Sequence, residues 1–155
     1  MDPGTAVTGY GLVAQTGGGA VSLLECGVIR TSSRAPLPAR IREVFEGVTQ
    51  LLDRFDPHVV SVEDVYQGKN ARSALTLGHA RGAILLAAAL REIRIAEYTA
   101  PEIKQSVAGT GRATKDQVAF MVQQHLRLKS PPSPADAADG VAAALCHCFR
   151  GSLPL

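Results

Sequence analysis

The fold is decided first by a stretch at the amino terminus, DPGTAVTGYG (residues 2–11). Asp2, Pro3 and Gly4 are residue types that form turns, and the chain from Tyr10 onward has the apolar character of a strand. The stretch therefore predicts a carboxylate directly before the chain enters a sheet. At that position a rigid scaffold can aim the side chain of Asp2 into a cleft.

The rest of the chain alternates strand-like and helix-like segments. Two strands are predicted over residues 10–14 and 21–29, with a hairpin turn at the glycines 17–19. Apolar residues recur at spacings of three and four over residues 37–55, which predicts an amphipathic helix. The other predicted elements are a buried strand over residues 59–62, a helix over 73–90, a strand over 93–98 and helices over 101–108, 114–126 and about 134–149. This order predicts an α/β domain with a mixed sheet and helices on both faces.

Size and composition narrow the class of protein. We expect residues 1–150 of this 155-residue chain to form a single domain and residues 151–155 to be a short tail. Apolar residues make up 46% and charged residues 19%, as in globular rather than disordered proteins. The longest apolar stretch, residues 83–90, is too short to span a bilayer, and no cleavable leader is evident. Three cysteines suggest no disulfide pattern. We therefore expect a cytoplasmic protein with no membrane partner.

Three further carboxylates stand at positions like that of Asp2. Glu63 ends the apolar run of a predicted strand, and Asp136 and Asp139 stand at the start of the last helix. Carboxylate oxygens suit Mg²⁺ or Mn²⁺ far better than Zn²⁺ or copper. Because the four acids are far apart in sequence, they form a metal site only if the fold gathers them.

Some of these acids also have a purely structural interpretation. Ser133 is a good helix N-cap and Pro134 suits the first helical position, so Asp136 could close a capping box at the third. Capping accounts for Asp136 but leaves Asp139 unexplained, and the pair therefore favours metal ligation. Glu63 could equally be the first solvated residue of a loop.

The motif of residues 2–5 allows three interpretations. It could be an ordinary turn, a phosphate-binding loop like that of actin-like ATPases and sugar kinases, or a metal-binding strand end. The second requires two domains that clasp a nucleotide, and 155 residues are too few for them. The continuation of the motif through residues 8–11 into a strand favours the third.

Two basic segments have the composition of DNA contacts. Residues 65–72 mix an aromatic side chain with amide and basic groups, which suits base stacking and phosphate binding, although a plain surface loop looks similar. Cations also flank the glycine loop 109–111 before a predicted helix, which suits a phosphate, the alternative being a solvated charged face. The candidate contacts are Tyr66, Lys69, Asn70, Arg72, Lys104, Arg112 and Lys115. The net charge of +2 alone does not indicate a nucleic-acid binder, but four of the fourteen acids belong to the proposed metal site.

The predicted helix over residues 73–90 carries the small residues Ala74, Gly78, Gly82 and Ala89. They would allow a second helix to approach closely, as in a two-fold interface, but so apolar a helix could also be wholly buried within one subunit. The triplet at residues 146–148, Cys-His-Cys, is a poor metal site, because the helical repeat points its two cysteines about 200° apart.

Together these residues resemble the RuvC family of bacterial Holliday-junction resolvases over essentially the whole chain. The fragments that carry the resemblance are DPGT (2–5) with TGYG (8–11), VE (62–63), KN (69–70), SAL (73–75) with LG (77–78), ARG (80–82), IKQ (103–105), Lys115 with QV (117–118), and ADAAD (135–139). The resemblance implies an RNase H-like fold with a central five-stranded mixed sheet flanked by helices on both faces. It also implies a homodimer that cuts four-way junction DNA and works with the RuvA/RuvB branch-migration complex.

Carried over by position, the resemblance implies four catalytic and metal-binding acids at Asp2, Glu63, Asp136 and Asp139. The family's junction-contacting aromatic falls on Tyr66, and its DNA-binding lysines fall on Lys104 and Lys115. The implied cofactor is Mg²⁺, two ions per subunit, with Mn²⁺ as a substitute. The implied reaction is paired nicking of opposing strands that leaves 5′-phosphate and 3′-hydroxyl ends.

One departure from the family pattern concerns the amino terminus. Family members carry a short apolar strand before Asp-Pro-Gly, whereas Met1 alone precedes Asp2 in this sequence. We therefore expect that a few upstream residues are missing from it. Two other functions remain open: an RNase H-like nuclease that processes ribosomal RNA, and a non-catalytic junction-binding module, which would not need four acids.

Overall fold

The computed structural model describes residues 1–64 and 71–151. It contains four strands and five helices in the described ranges: β1 (Val7–Gln15), β2 (Val21–Arg30), α1 (Leu37–Phe55), β3 (Val59–Asp64), α2 (Ala71–Ala89), β4 (Arg94–Thr99), α3 (Ala100–Ala108), α4 (Lys115–His125) and α5 (Ala135–Arg150). Every element predicted from the periodicity is present, and most boundaries lie within a few residues of the predicted ones. The predicted α/β class is therefore confirmed.

The first two strands form the predicted antiparallel hairpin. Their register runs from Val7 opposite Arg30 to Gln15 opposite Val21, with an irregularity between Leu12 and Val13. The glycine run closes the turn, where the amide of Thr16 donates to the carbonyl of Ala20 at 2.9 Å. Strands β3 and β4 pair in parallel and are joined through α2. A crossover helix is the usual connection between parallel strands.

Met1 and Asp2 lie between the two pairs of strands. The amino group of Met1 donates to the carbonyl of Ser61 at 2.5 Å. The carbonyl of Met1 accepts from the amide of Glu63 at 3.0 Å. Asp2 exchanges two backbone hydrogen bonds with Gly9, at 2.9 and 3.0 Å. The first two residues thus pair with β3 on one side and β1 on the other, which fixes Asp2 beside Glu63.

Beyond Met1, the two pairs of strands separate. In place of one five-stranded sheet, the described residues form two two-stranded sheets. A cavity of about 490 Å³ lies between them, lined by residues 10–15 on the β1 side, residues 57–61 on the β3 side, and side chains of α1 and α5. We call it the apolar cavity. Along this cavity no backbone hydrogen bonds join β1 to β3 among the described residues, so the two pairs of strands remain separate sheets.

Two glycines bring the start of α5 against β1. A Cβ atom at Gly9 would collide with the carbonyl oxygen of Asp136. A Cβ atom at Gly140 would lie 2.5 Å from the amide nitrogen of Tyr10. Because neither position has a side chain, helix and strand approach each other at backbone distance. That approach carries Asp136 and Asp139 to the end of the sheet where Asp2 lies.

Helix α2 buries one face and exposes the other. Its buried residues are Ala80, Ala83, Ile84, Ala87 and Ala88. On the outside, Leu75 and Leu86 are 68% and 53% exposed, and Leu90, just past the helix, is 65% exposed. At Gly78 and Gly82, an added Cβ atom would meet no atom of residues 1–64 or 71–151 within 4 Å, apart from its own stretch of helix. The alternative of a helix wholly buried within one subunit is therefore wrong, since the outer face is apolar and open.

None of the helices in the described part of the chain combines the length and the apolar character that crossing a membrane requires.

Candidate metal centre

Three carboxylates come together at one end of the sheet. Asp2, Asp136 and Asp139 each offer an oxygen atom, and these atoms lie within 4.8 Å of one another. Asp2 is placed by its pairing with Gly9, and the two acids of α5 are three residues apart on one helix face. All three side chains are half-buried. Such a group of hard oxygen donors matches the ligands that Mg²⁺ and Mn²⁺ take in proteins.

The predicted capping role of Asp136 is wrong. Helix α5 begins at Ala135, with Pro134 as its N-cap residue and no side-chain hydrogen bond to the cap. Pro134 has an extended backbone (φ −67°, ψ 177°), so it cannot be the first helical residue, and Ser133 is displaced from the cap position. Asp136 is the second helical residue, where its charge favours the helix dipole while its oxygens remain available to a ligand.

Glu63 belongs to strand β3 and not to a solvated loop. Its backbone pairs with Tyr98 of β4, and its side chain lines a cleft of about 160 Å³. We call this space the acidic cleft; Asp2, Glu63, Asp139, Lys104 and Lys115 line it together with apolar side chains. Glu63 lies outside the group within 4.8 Å but shares its cleft. All four predicted acids are thus gathered by the fold.

The electrostatics of the acidic cleft show unbalanced negative charge. Burial, and after it the charges of Asp2 and Asp139, raise the pKa of Glu63 to about 7. Burial and the charge of Asp139 raise the pKa of Asp2 to about 6. Burial and neighbouring negative charges favour the neutral form of a carboxyl group, whereas a bound cation favours the ionised form. The cleft therefore has the donor set and the charge of a divalent-cation site.

The predicted basic residues lie in different places around the acidic cleft. Lys115 is the first residue of α4, and its Nζ lies 2.6 Å from Oδ2 of Asp139. Lys104, on α3, is half-buried and lines the cleft, whereas Arg112 is exposed on the loop before α4. Arg72 is exposed in the first turn of α2. Tyr66, Lys69 and Asn70 lie outside the described residues.

Two residues that were not among the predicted site residues, Thr8 and Arg40, hold the loop that carries Asp2. The hydroxyl of Thr8, fully buried, donates to the carbonyl of Gly4 at 2.7 Å. The guanidinium of Arg40 donates from Nε to the carbonyl of Thr5 at 2.9 Å and from Nη2 to the Thr5 hydroxyl at 3.0 Å. Thr8 belongs to the TGYG fragment that carries the family resemblance, so the sequence did point to its position. Arg40 lies on α1, 35 residues from Thr5, and nothing in the sequence predicts that the two residues meet.

Comparisons with known proteins find one family over nearly the whole chain. Residues 1–147 match the family model described as "Crossover junction endodeoxyribonuclease RuvC". A protein of that name from Shewanella baltica (strain OS155) is 46% identical over 147 residues, which cover 95% of this chain and 83% of the relative. Another from Pelotomaculum thermopropionicum is 44% identical over 150 residues, covering 97% and 91% of the two chains.

Solved structures match the fold equally well. "T. thermophilus RuvC in complex with Holliday junction substrate" superposes with a TM-score of 0.89 at 37% identity, covering 97% of this chain and 91% of that one. The yeast mitochondrial Holliday junction resolvase Ydc2 matches with a TM-score of 0.65 at 13% identity, covering 96% and 77%, which supports the fold alone. The RNase H-like fold expected from the sequence is thereby confirmed.

Proposed function

The chain belongs to the RuvC family of crossover junction endodeoxyribonucleases, and from that membership we propose that it resolves four-way DNA junctions in recombination and repair. The proposed reaction is a pair of symmetric, divalent-metal-dependent nicks in opposing strands that leave 5′-phosphate and 3′-hydroxyl ends. The observation that carries this proposal is the group of Asp2, Asp136 and Asp139 within 4.8 Å of one another, together with Glu63, which shares the acidic cleft with Asp2 and Asp139. A non-catalytic binding module would have no use for four neighbouring acids, of which Asp2 and Glu63 have a pKa raised by burial and by nearby carboxylates.

We assign Mg²⁺ as the cofactor, two ions per subunit, with Mn²⁺ as a substitute. Such a pair of ions, when bound, activates a water molecule and stabilises the leaving 3′ oxygen of an in-line displacement. The four acids would hold it, and Asp2 is the best shared ligand because its charge is coupled to both acids of α5 and to Glu63. Thr8 and Arg40 keep the backbone of residues 4–5 fixed and so maintain the placement of Asp2.

The DNA backbone is proposed to lie over the basic side of the acidic cleft. Lys104 and Lys115 line the cleft beside the acids, so a phosphate held by these ammonium groups is placed next to the metal ligands. Arg72 and Arg112 are exposed, and we propose them as further phosphate contacts. Tyr66, Lys69 and Asn70 remain predictions for the same interface. We expect the enzyme to be cytoplasmic and to act with the RuvA/RuvB branch-migration complex.

Cleavage of a synthetic four-way junction tests the proposed function. With Mg²⁺ the wild-type enzyme should release paired nicks at equivalent positions of opposing strands, and with EDTA it should bind the junction without cutting it. A linear duplex of the same arm sequences is the control and should stay intact. Equal cutting of the duplex, or cleavage in EDTA, would contradict the proposal. Preferential cleavage of structured ribosomal RNA would favour the alternative of an RNA-processing nuclease.

A homodimer is proposed because one acidic cleft can cut only one strand at a time. The outer face of α2 presents Leu75 and Leu86 with the open glycines Gly78 and Gly82 between them. A second copy of the helix could approach these glycines closely and cover the leucines. Two clefts held at a fixed separation would then cut opposing strands of a four-way junction symmetrically.

The substitution Gly82→Glu tests this interface without disturbing the subunit. A Cβ atom added at this position meets no atom of the described residues within 4 Å apart from its own stretch of helix, and replacing a helical glycine should favour the helix. We expect a monomer by light scattering that binds junctions weakly and no longer makes paired cuts. The control is Gly18→Glu in the β1–β2 turn, an equally open glycine, which should remain dimeric. A dimeric Gly82→Glu variant, or a monomeric wild type that still cuts symmetrically, would refute the interface.

A further inference from the structure

Lys115 occupies an unusual position for a cation. It is the first residue of α4, whose N-terminus is closed by a capping box between Thr114 and Gln117. The N-terminus of a helix is its positive end, so a lysine there is disfavoured by the helix dipole. Another interaction must therefore hold the ammonium in place. That interaction is the contact of Nζ with Oδ2 of Asp139, at 2.6 Å.

The two partners of this ion pair differ in exposure. The side chain of Asp139 is 16% exposed and fixed on α5, whereas that of Lys115 is 71% exposed and enters the acidic cleft from outside. The hydrogen bond to Asp139 raises the pKa of Lys115, and the charges of Asp139, Asp2 and Asp136 raise it further. The ammonium thus serves as the direct counter-ion of Asp139 and, through its charge, also favours the ionised forms of Asp2 and Glu63.

A divalent cation and this ammonium require the same carboxylate. Two positive charges a few ångströms apart repel each other strongly in a partly dry cleft, so the cation at Asp139 and the lysine exclude each other. The displaced side chain is already mostly in solvent and can turn to the open side of the cleft. A backbone phosphate placed there would offer the ammonium a new anionic partner.

We propose that Lys115 is a built-in counter-ion that leaves Asp139 when a divalent cation binds and then takes a phosphate of the DNA backbone. Because the cation releases the lysine and the phosphate retains it, the binding of cation and the binding of DNA favour each other. This inference rests on the proposed function for the identity of the phosphate, but the exchange at Asp139 is a property of the protein without DNA.

The exchange is tested by calorimetric titration of Ca²⁺ into the DNA-free protein. In Lys115→Met the competitor is gone, and Ca²⁺ affinity should rise by about three- to fivefold, the range expected for a partly exposed ion pair. Lys104→Met removes a charge from the same cleft without removing a partner of Asp139, since Lys104 makes no ion pair among residues 1–64 and 71–151. It should change Ca²⁺ affinity by less than about twofold. Lys115→Arg keeps the charge beside Asp139, and its Ca²⁺ affinity should stay within about twofold of wild type.

Equal changes in Lys115→Met and Lys104→Met would reduce the effect to the net charge of the cleft and overturn the exchange. An unchanged Ca²⁺ affinity in Lys115→Met would overturn it as well. Neither result depends on cleavage or on the kind of DNA that the protein binds. The exchange can therefore fail while the proposed function stands, and a protein that cuts no junction could still show the exchange.

The coupling is tested by junction affinity, measured by fluorescence anisotropy in Ca²⁺ and in EDTA. The ratio of the two affinities should fall by about three- to fivefold in Lys115→Met relative to wild type, the same factor as in the DNA-free titration, because linkage is reciprocal. Lys104→Met should bind more weakly in both conditions and keep the wild-type ratio. A wild-type ratio in Lys115→Met would show that the released lysine takes no phosphate.

Discussion

The acidic cleft and the apolar cavity adjoin the same short segment of chain and differ in almost every other respect. The cavity is the larger, about 490 Å³ against about 160 Å³, and apolar residues of α1, β1, β3 and α5 form most of its wall. The cleft has carboxylates from the amino terminus, β3 and α5. In the part of the chain that the structure describes, the one group of three potential metal ligands lies at the cleft. Size therefore does not locate the chemistry in this fold, whereas concentrated charge does.

The apolar cavity and the acidic cleft also lower the stability of the folded protein for different reasons. The cavity forfeits packing contacts between β1 and β3, a loss that an apolar side chain could recover. The cleft holds Asp2 and Glu63, whose pKa is raised by burial and by neighbouring carboxylates, and only a cation or a proton can recover the stability lost when they ionise. Substitutions and solution conditions should consequently affect one space and leave the other unchanged.

The largest effect should come from Asp139→Asn in the acidic cleft. The substitution keeps the shape of the side chain and removes the charge that holds a cation, so the cleavage rate should fall by about 10³-fold or more while junction binding is retained. Cleavage assays and anisotropy measure the two effects separately. Asp53→Asn, which removes the same charge from an exposed position on α1, should cut at the wild-type rate. Cleavage by Asp139→Asn within tenfold of wild type would remove Asp139 from the ligand set.

A smaller effect concerns the pH dependence of stability in the cation-free protein. Because the pKa values of Asp2 and Glu63 are raised in the folded state, their contribution is complete below pH 4 and is lost as the pH rises towards 7. Between pH 4.5 and 7, the free energy of unfolding of wild type should fall by about 2 kcal/mol more than that of Glu63→Gln. Denaturant melts over this range measure the difference.

Two features complicate that profile and also serve to check it. Burial lowers the pKa of the Met1 amino group to about 6, so its contribution has the opposite sign and grows between pH 6 and 8. Its contribution cancels only in part in the comparison, because the charge of Glu63 raises the pKa of this amino group and Glu63→Gln removes that charge. Saturating Ca²⁺ should flatten the wild-type decline, since the cation stabilises the ionised carboxylates. Parallel profiles for wild type and Glu63→Gln would show that Glu63 does not titrate in the cleft.

The smallest effect should come from filling the apolar cavity. Ala144 on α5 lines it, and Ala144→Leu would add apolar volume to open space and raise the free energy of unfolding by about 1 kcal/mol. Cleavage and Ca²⁺ affinity should not change. Ala144→Ser, which adds no apolar volume, should give no gain in thermal melts. A loss of stability in Ala144→Leu would mean that the cavity cannot accept the side chain.

The sequence predicted features that depend on neighbouring residues and failed mainly on features that depend on contacts between distant parts of the chain. Helices and strands came from periodicity, and the four acids came from their positions at element ends together with the family resemblance. The cap at Ser133 was mispredicted because the extended backbone of Pro134 delays α5 by one residue. Whether α2 is buried or open could not be decided, because alanine and leucine occupy both of its faces. The contact of Arg40 with Thr5 depends on tertiary packing, to which no local pattern is sensitive.

The burial of Met1 has a practical consequence for anyone who adds residues before it. Met1 is 9% exposed and its nitrogen is bonded to Ser61, so any residue that precedes it, natural or from a fusion partner, starts between β1 and β3 and not in solvent. A polar affinity tag would place unpaired backbone and hydrated side chains against the apolar wall and push the strands apart. An extended apolar linker could instead pair with both strand edges. Purification handles are therefore better joined at the carboxyl end, after Gly151, which is exposed.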